Sequence, residues 1–404
     1  MSQSRPLTIA FFWTGVSPTM TACWRALAAL PNTRVVVFLE LPAKADTAFE
    51  HEALLEGIEC RAYVVARSRR DRNTSASHGV TGPREASHGV TGPREASHSV
   101  TGSRDVTPFE PAAVEREIAA VAPDVMVVLG WRSPLCRLAA ESPVFRTVPK
   151  LFAFDMPFAW SLRKLVAPLV LRQYLRRFVG AMVPGERSAA YARYLGFPES
   201  KIERGLIGLD TAAAAEAARA RAALPAYPRR FLFVGRYAPE KRIDLLVAAY
   251  RRYRGRVSDP WGLTCCGMGP EAGRLRGVEG IEDRGFVQPS EMGEVLATHG
   301  AFVLASDYDP WPFVIAEAVA AGLPVVCTSA CGNSVELVRS YFNGRVVGPG
   351  DAAGLAEALE WVHDRETEAR WIGERGMPLA APYAKEVWAE RVRGICTRAV
   401  AADA

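Results

Sequence analysis

The sequence predicts an α/β protein made of two doubly wound domains that face each other across a cleft. Three observations carry that reading. Short apolar runs alternate with longer amphipathic stretches, as repeated β–α units require. The alternation runs through two separate series with a linker between them. The chain has 404 residues, whereas single cores stop growing near ~250–300 residues, so two cores suit the length better than one.

Composition narrows the function classes. Apolar residues make up 49% and charged residues 23%, an ordinary globular mixture that excludes fibrous and disordered classes. The formal charge of +5 suits an anionic ligand or a membrane surface, but it falls far short of the basic stripe of a nucleic-acid binder, so no nucleic-acid partner is expected. The cysteines Cys23, Cys60, Cys136, Cys265, Cys266, Cys327, Cys331 and Cys396 form no C-x-x-C pair and no ligand-like Cys/His spacing. They read as reduced core residues of a cytosolic protein, with no metal site. MSQSRPLTIAFFW carries too short an apolar stretch for a secretory signal, and no run of about 18 apolar residues occurs. A cytoplasmic protein is expected, without a membrane span.

In the first series, LTIAFFW (7–13) predicts a strand, 19–29 a helix and VVVFL (35–39) a second strand. The pattern resumes with a helix at EREIAAVA (115–122), a strand at DVMVVLG (124–130), a helix near 133–140, a strand at KLFAF (150–154) and a long basic helix over 161–178. Between these parts lie ASHGVTGPRE (76–85), its exact copy (86–95) and ASHSVTGSRD (96–105). Each unit has one Val as its only large apolar side chain, too little to offset ordering entropy, so a disordered insertion is expected over about 67–108. His78, His88 and His98 could be read as a periodic metal set; copying of a flexible unit explains them more simply.

The second series follows an Ala/Arg-rich stretch (211–223) and a linker (224–230). It predicts a strand at FLFVG (231–235), a helix over 239–253, a strand at LTCC (263–266), a helix over 270–276 and a short strand near 285–287. A helix over 289–298, a strand at AFVLAS (301–306), a helix over 312–321 and a strand at PVVCT (324–328) complete it. Parallel sheets hold ligands at the carboxyl ends of their strands, which puts a site between the two domains.

Two stretches carry chemistry there. In GRYAPEKRIDLLVAAY (235–250), Arg236 and Lys241 follow a strand end and open a helix, where two cations could stabilise a leaving diphosphate; solvated surface cations are the competing reading. In SDYDPWPFVIAEAVAAGLPVV (306–326), Pro312 suits a first helical position, and the N–H groups of Phe313 and Val314 make a phosphate seat. Glu317 could then accept from ribose hydroxyls and Asp309 from a sugar, or the two could be a capping acid and an ordinary first-turn Glu. CGMGPE (266–271) places Gly267 and Gly269 where backbone could approach a ligand. Its spacing with Gly273 is not G-x-G-x-x-G, which argues against NAD. In the first half, Gly15 of TGVSP (14–18) follows the first strand and could meet a donor sugar or phosphate, or simply make a tight turn. Asp155 of FAFDMPF (152–158) could hydrogen-bond an acceptor or take its proton, or cap a turn. SLRKLVAPLVLRQYLRRF (161–178) could rest peripherally on an anionic membrane; packing on its own domain with its cations in water is the simpler alternative.

These segments resemble the retaining nucleotide-sugar glycosyltransferases of family 4, whose acidic-x7-Glu signature matches Asp309 and Glu317 over the C-terminal half, best over 231–350. The resemblance implies a GT-B fold of two facing Rossmann-like domains, over 1–209 and 210–384, with residues 385–404 returning to the first. It implies diphosphate contacts from Arg236 and Lys241, sugar and ribose contacts from Asp309 and Glu317, and base contacts from the backbone at Phe286 and Val287. Relatives place a His-Asp pair where this chain has Phe154 and Asp155, and Glu where it has Asp309. The implied reaction transfers a sugar, with retention and without a metal or other cofactor, from a UDP- or GDP-linked donor. The acceptor would be a glycan, a lipid-linked molecule or a small molecule. Alternatives are an inactive nucleotide-sugar-binding protein on the same fold and, further off, a sugar-nucleotide epimerase.

Overall fold

The computed structural model describes residues 5–41, 54–65, 107–158 and 161–402. The triple repeat at 76–105 lies outside them.

Eight strands form the first sheet: β1 (Leu7–Thr14), β2 (Thr33–Leu41), β3 (Glu59–Val64), β4 (Thr107–Pro108), β5 (Val125–Leu129), β6 (Lys150–Ala153), β7 (Gly180–Val183) and β8 (Ile202–Arg204). Their order is β4-β3-β2-β1-β5-β6-β7-β8, with every pairing parallel. Along β1, Ile9 and Phe11 enter one apolar cluster while Ala10 and Phe12 enter another, so both faces of the sheet are covered. That two-sided burial is why these strands read as continuous apolar runs. The helices Pro18–Ala28 and Pro134–Glu141 start alike: Ser17 and Ser133 accept from the N–H groups of Met20 and Cys136, and Pro occupies the first turn.

The second sheet holds β9 (Arg230–Val234), β10 (Gly262–Cys266), β11 (Ile281–Gly285), β12 (Ala301–Leu304), β13 (Val325–Thr328) and β14 (Gly344–Val347), in the order β11-β10-β9-β12-β13-β14 and again all parallel. Past β13 the chain adds the helix Ala352–His363 and ends in Lys385–Ala401. This last helix packs on Pro18–Ala28 of the first unit. Trp388 stacks on Phe11 with ring centroids 6.3 Å apart and donates its indole N–H to the Leu206 carbonyl at 2.8 Å. A Cβ at Gly208 would meet Cys23 Sγ at 2.7 Å, so the absence of a side chain there lets the helix close.

Several elements differ from the sequence expectation for identifiable reasons. The helix expected over 239–253 is a 3₁₀ turn, Pro239–Lys241, followed by Ile243–Arg254. Arg242 between them is left-handed, φ 52°, and its guanidinium pairs with Asp244 and Asp307. The strand expected near 285–287 is β11, which stops at Gly285, φ 67°. The expected helices over 270–276 and 289–298 are a 3₁₀ turn at Pro270–Leu275, and a 3₁₀ turn at Pro289–Glu291 leading into Met292–Ala297. The basic stretch 161–178 is two helices, Leu162–Val170 and Arg172–Leu175, the first with Pro168 inside it. Proline removes a backbone donor and weakens that run. Thr107 and Pro108 fall within the expected insertion, yet they pair with Tyr63 and Val64 at the sheet edge. The short strands β3, β7, β8 and β14 fall where the sequence pattern predicts none, because runs of three to six residues give little periodicity. Among the described residues, no helix is long and apolar enough to cross a membrane.

Of the eight cysteines, all but Cys60 are buried. Burial pushes the Cys23, Cys136 and Cys396 thiols up to about 12, as inert core residues require.

Candidate active site

Each sheet reverses its strand order once, and both reversals open on the same cleft. In the first sheet the switch lies between β1 and β5, and the loops that follow these strands supply Gly15, Ser17, Gly130, Trp131, Arg132 and Ser133 to a cavity of about 450 Å³. In the second it lies between β9 and β12, and their loops supply Arg236, Glu240, Lys241, Tyr308, Asp309 and Pro310 to a cavity of about 820 Å³. Trp131, Arg132 and Met156 line both, so the two cavities are adjoining parts of one cleft. Strands on either side of a switch send their connections to opposite faces, and the crevice between those connections is where such sheets hold ligands.

Lys241 Nζ sits on the Asp309 carboxylate, and both side chains are largely buried. Desolvation raises the Asp309 carboxyl above its ordinary range and outweighs the opposing pull of Lys241. The Asp309 loop is pinned from several sides. Asn333 Nδ2 donates to the Pro312 carbonyl at 2.8 Å, Gly332 N to the Asp309 carbonyl at 2.8 Å, and Asp307 N to the Glu240 carbonyl at 2.9 Å. Any Cβ on Gly332 would strike the Pro310 carbonyl. Arg236 also lines the larger cavity, but its side chain is 76% exposed and pairs with Glu240 at 2.8 Å.

The helix Phe313–Ala320 starts immediately after this loop, with Pro312 one position earlier than expected, at its N-cap. The first N–H groups of any helix, here those of Phe313 and Val314, lack intrahelical acceptors. Phe313 lines the smaller cavity. Glu317 follows one turn in; its carboxylate has no hydrogen-bonding or charged partner among the described residues, and desolvation lifts it to about 7.

Asp155 follows β6 and lines the smaller cavity, while Ser188 Oγ donates to its backbone carbonyl at 2.7 Å. Its carboxyl keeps surface open to the cleft but is closely hemmed in. Desolvation, joined more weakly by the Asp309 charge and opposed by a backbone hydrogen bond, raises it above its ordinary range. Phe154 is buried against Phe152 and Tyr191, with ring centroids 5.1 and 5.9 Å away. Gly15 has φ +74° and open space where a Cβ would stand.

Gly267 and Gly269 lie outside both cavity linings, and the protein's own packing accounts for them. A Cβ on Gly267 would collide with the Gly235 carbonyl, and one on Gly269 would sit 2.5 Å from the Tyr237 carbonyl. Phe286 and Val287, half-buried just past β11, also lie outside those linings. The sequence reading did not single out Arg132 or Tyr308, and it took Lys164 as a cation of the basic helix over 161–178 rather than of the cleft. Arg132 could have been found from its place just beyond a strand's carboxyl end; Lys164 and Tyr308 meet only through tertiary contact, with Nζ 6.0 Å from the Tyr308 ring centre. It also missed the bridge between the units, where Glu336 Oε1 accepts from Glu186 N at 2.7 Å and Arg187 donates to the Ser329 carbonyl at 2.5 Å. No group of three or more His, Cys, Asp or Glu among the described residues is arranged to hold a metal.

Two parallel, doubly wound sheets whose switch points share one cleft form the GT-B architecture. Residues 228–365 match the family model of glycosyl transferases group 1. Over 159 residues the chain is 31% identical to an exopolysaccharide phosphotransferase of Streptomyces coelicolor, covering 38% of this chain and 17% of that protein. Over 150 residues it is 34% identical to a glycogen synthase of Mycobacterium tuberculosis, covering 35% of this chain and 36% of that one. The chain thus spans about a sixth to a third of these relatives. Its fold is similar to that of an Anabaena protein crystallised with UDP and glucose, with a TM-score of 0.68 at 14% identity, over 97% of this chain and all of that one.

Proposed function

We propose that this protein is a retaining glycosyltransferase that moves a sugar from a nucleoside-diphosphate donor to an acceptor held on the first unit's side of the cleft. The observation that carries the reading is Lys241, largely buried on Asp309, in a loop that leads directly into the N-terminus of the helix carrying Glu317. An ammonium has three N–H donors, so Lys241 can hold Asp309 with one and a phosphate oxygen with another. The N–H groups of Phe313 and Val314 then take further phosphate oxygens, and Arg236 moves from Glu240 onto the diphosphate.

Glu317 accepts from the ribose hydroxyls and Asp309 from a sugar hydroxyl. As the anomeric bond breaks, charge grows on the departing diphosphate where these donors already point, which is the largest class of catalytic stabilisation. Such fixed donors supply the neutralisation that a divalent ion supplies elsewhere, so no metal is required. Asp155 faces the acceptor from the other unit.

Similarity to glycosyltransferases and to a fold that holds UDP and glucose supports this reading. A thermal-shift panel of UDP, GDP and ADP tests it. A ligand at about 100 times its Kd adds roughly 2.7 kcal/mol to the folded state. One nucleotide should raise the melting temperature with EDTA present; no shift from any of the three would sink the proposal.

A further inference from the structure

We propose that the larger cavity takes an amphiphilic acceptor, one that carries a hydroxyl, a nearby phosphate-type anion and an aliphatic chain. The inference rests on the transferase reading and adds the acceptor's chemical class. Its first support is unmatched charge. The cavity is lined by the cations Arg132, Arg163, Lys164, Arg236 and Lys241, and by the acids Glu240 and Asp309. Both acids are taken by the second unit's own cations, Glu240 by Arg236 and Asp309 by Lys241. Arg132, Arg163 and Lys164, all from the first unit, have no carboxylate partner among the described residues. Desolvation lowers Lys164 from its ordinary value, and an anion beside it would offset that cost.

The second support is an inverted helix. In a helix of a soluble protein, apolar residues at spacings of three and four face the core. In Leu162–Val170 that stripe is Leu162, Leu165, Val166, Leu169 and Val170, and it faces outward, with side chains between 39 and 78% exposed. The only buried residue of the helix is Ala167. Val166 and Val170 belong to the stripe and also line the cavity, so one apolar surface runs from the cleft onto the outer face of the helix. No acid occurs between 161 and 178, so every charged residue of this segment is a cation.

A ligand that satisfies all of this places its hydroxyl toward Asp155 and Asp309, its anion among Arg132, Arg163 and Lys164, and its chain over Val166 and Val170. In transfer, the hydroxyl oxygen bonds the anomeric carbon, the bond from that carbon to the donor phosphate oxygen breaks with its electron pair, and the hydroxyl proton passes to the departing diphosphate.

Calorimetry on the full chain tests the assignment, with dodecyl phosphate below its micelle concentration, inorganic phosphate and the nucleoside diphosphates as three separate ligands. Burying a few methylenes should make dodecyl phosphate bind at least about tenfold more tightly than inorganic phosphate. The double variant V166D/V170D, at exposed positions that leave the fold intact, should lose that advantage while binding nucleoside diphosphate normally. Arg163→Ala should weaken both phosphates. Dodecyl phosphate binding no tighter than inorganic phosphate, or with undiminished affinity in V166D/V170D, overturns the inference alone. Binding of dodecyl phosphate without any nucleoside diphosphate refutes the transferase reading instead and leaves the cavity's ligand class standing.

Discussion

Replacing Lys241 with Ala should abolish most transfer while leaving a folded but weakened protein. The side chains of Lys241 and Asp309 are 15% and 10% exposed, between the limits of a surface pair and a fully buried one. Exposed pairs contribute up to about 1 kcal/mol, and breaking a buried pair costs about 3–5 kcal/mol. A loss of roughly 2–3 kcal/mol follows for Lys241→Ala, chiefly because it leaves the Asp309 carboxylate buried and uncompensated. Removal of one preorganised donor to a developing anion typically costs about 10²–10³ in kcat. Arg236 does not replace it, because its side chain is 76% exposed and already makes its own contact with the diphosphate in the proposed complex. Urea unfolding and initial transfer rates, on Lys241→Ala, Asp309→Asn and the double variant, separate the two effects. Neutral Asn at 309 should restore most of the stability lost in Lys241→Ala but none of the activity. A kcat for Lys241→Ala within about threefold of the unsubstituted protein, or a cycle with coupling below about 0.5 kcal/mol, would falsify the assigned geometry.

Two further outcomes follow from the carboxyl groups. Glu317 has a folded-state value of about 7 against an ordinary 4.5, so between these the folded protein binds more protons than the unfolded chain, and stability falls as pH rises through that window. Glu317→Gln should flatten that part of a melting-temperature series against pH and weaken nucleoside-diphosphate binding; an unchanged slope contradicts the burial argument. Asp155→Asn should lose transfer yet keep nucleotide affinity in calorimetry, since Asp155 stands on the first unit; equal loss of both would make its role structural.

Much of the architecture was legible because parallel strands buried on both faces leave unbroken apolar runs, as in β1, β2, β5, β9, β12 and β13. The cleft lining was legible where charged and loop residues cluster locally, in 235–241 and 309–313. Legibility failed where several distant segments decide one feature. Arg242 breaks the helix expected over 239–253 because Asp307, from another loop, holds its guanidinium in the left-handed turn. The glycines at 267 and 269 suggest a ligand seat in one dimension, and in three they make room for the carbonyls of Gly235 and Tyr237.

The sequence by itself determined the fold class and the identity of the charged groups near the strand ends, because periodicity and capping are local properties of neighbouring residues. Only the tertiary structure decided which of those groups meet. Lys241 on Asp309, Asp155 within reach of the Asp309 charge, and Glu336 spanning to Glu186 all join residues far apart in the chain. The orientation of Leu162–Val170 was decided there too: amphipathicity tells that a helix has an apolar face, and what lies opposite that face depends on the packing of everything else.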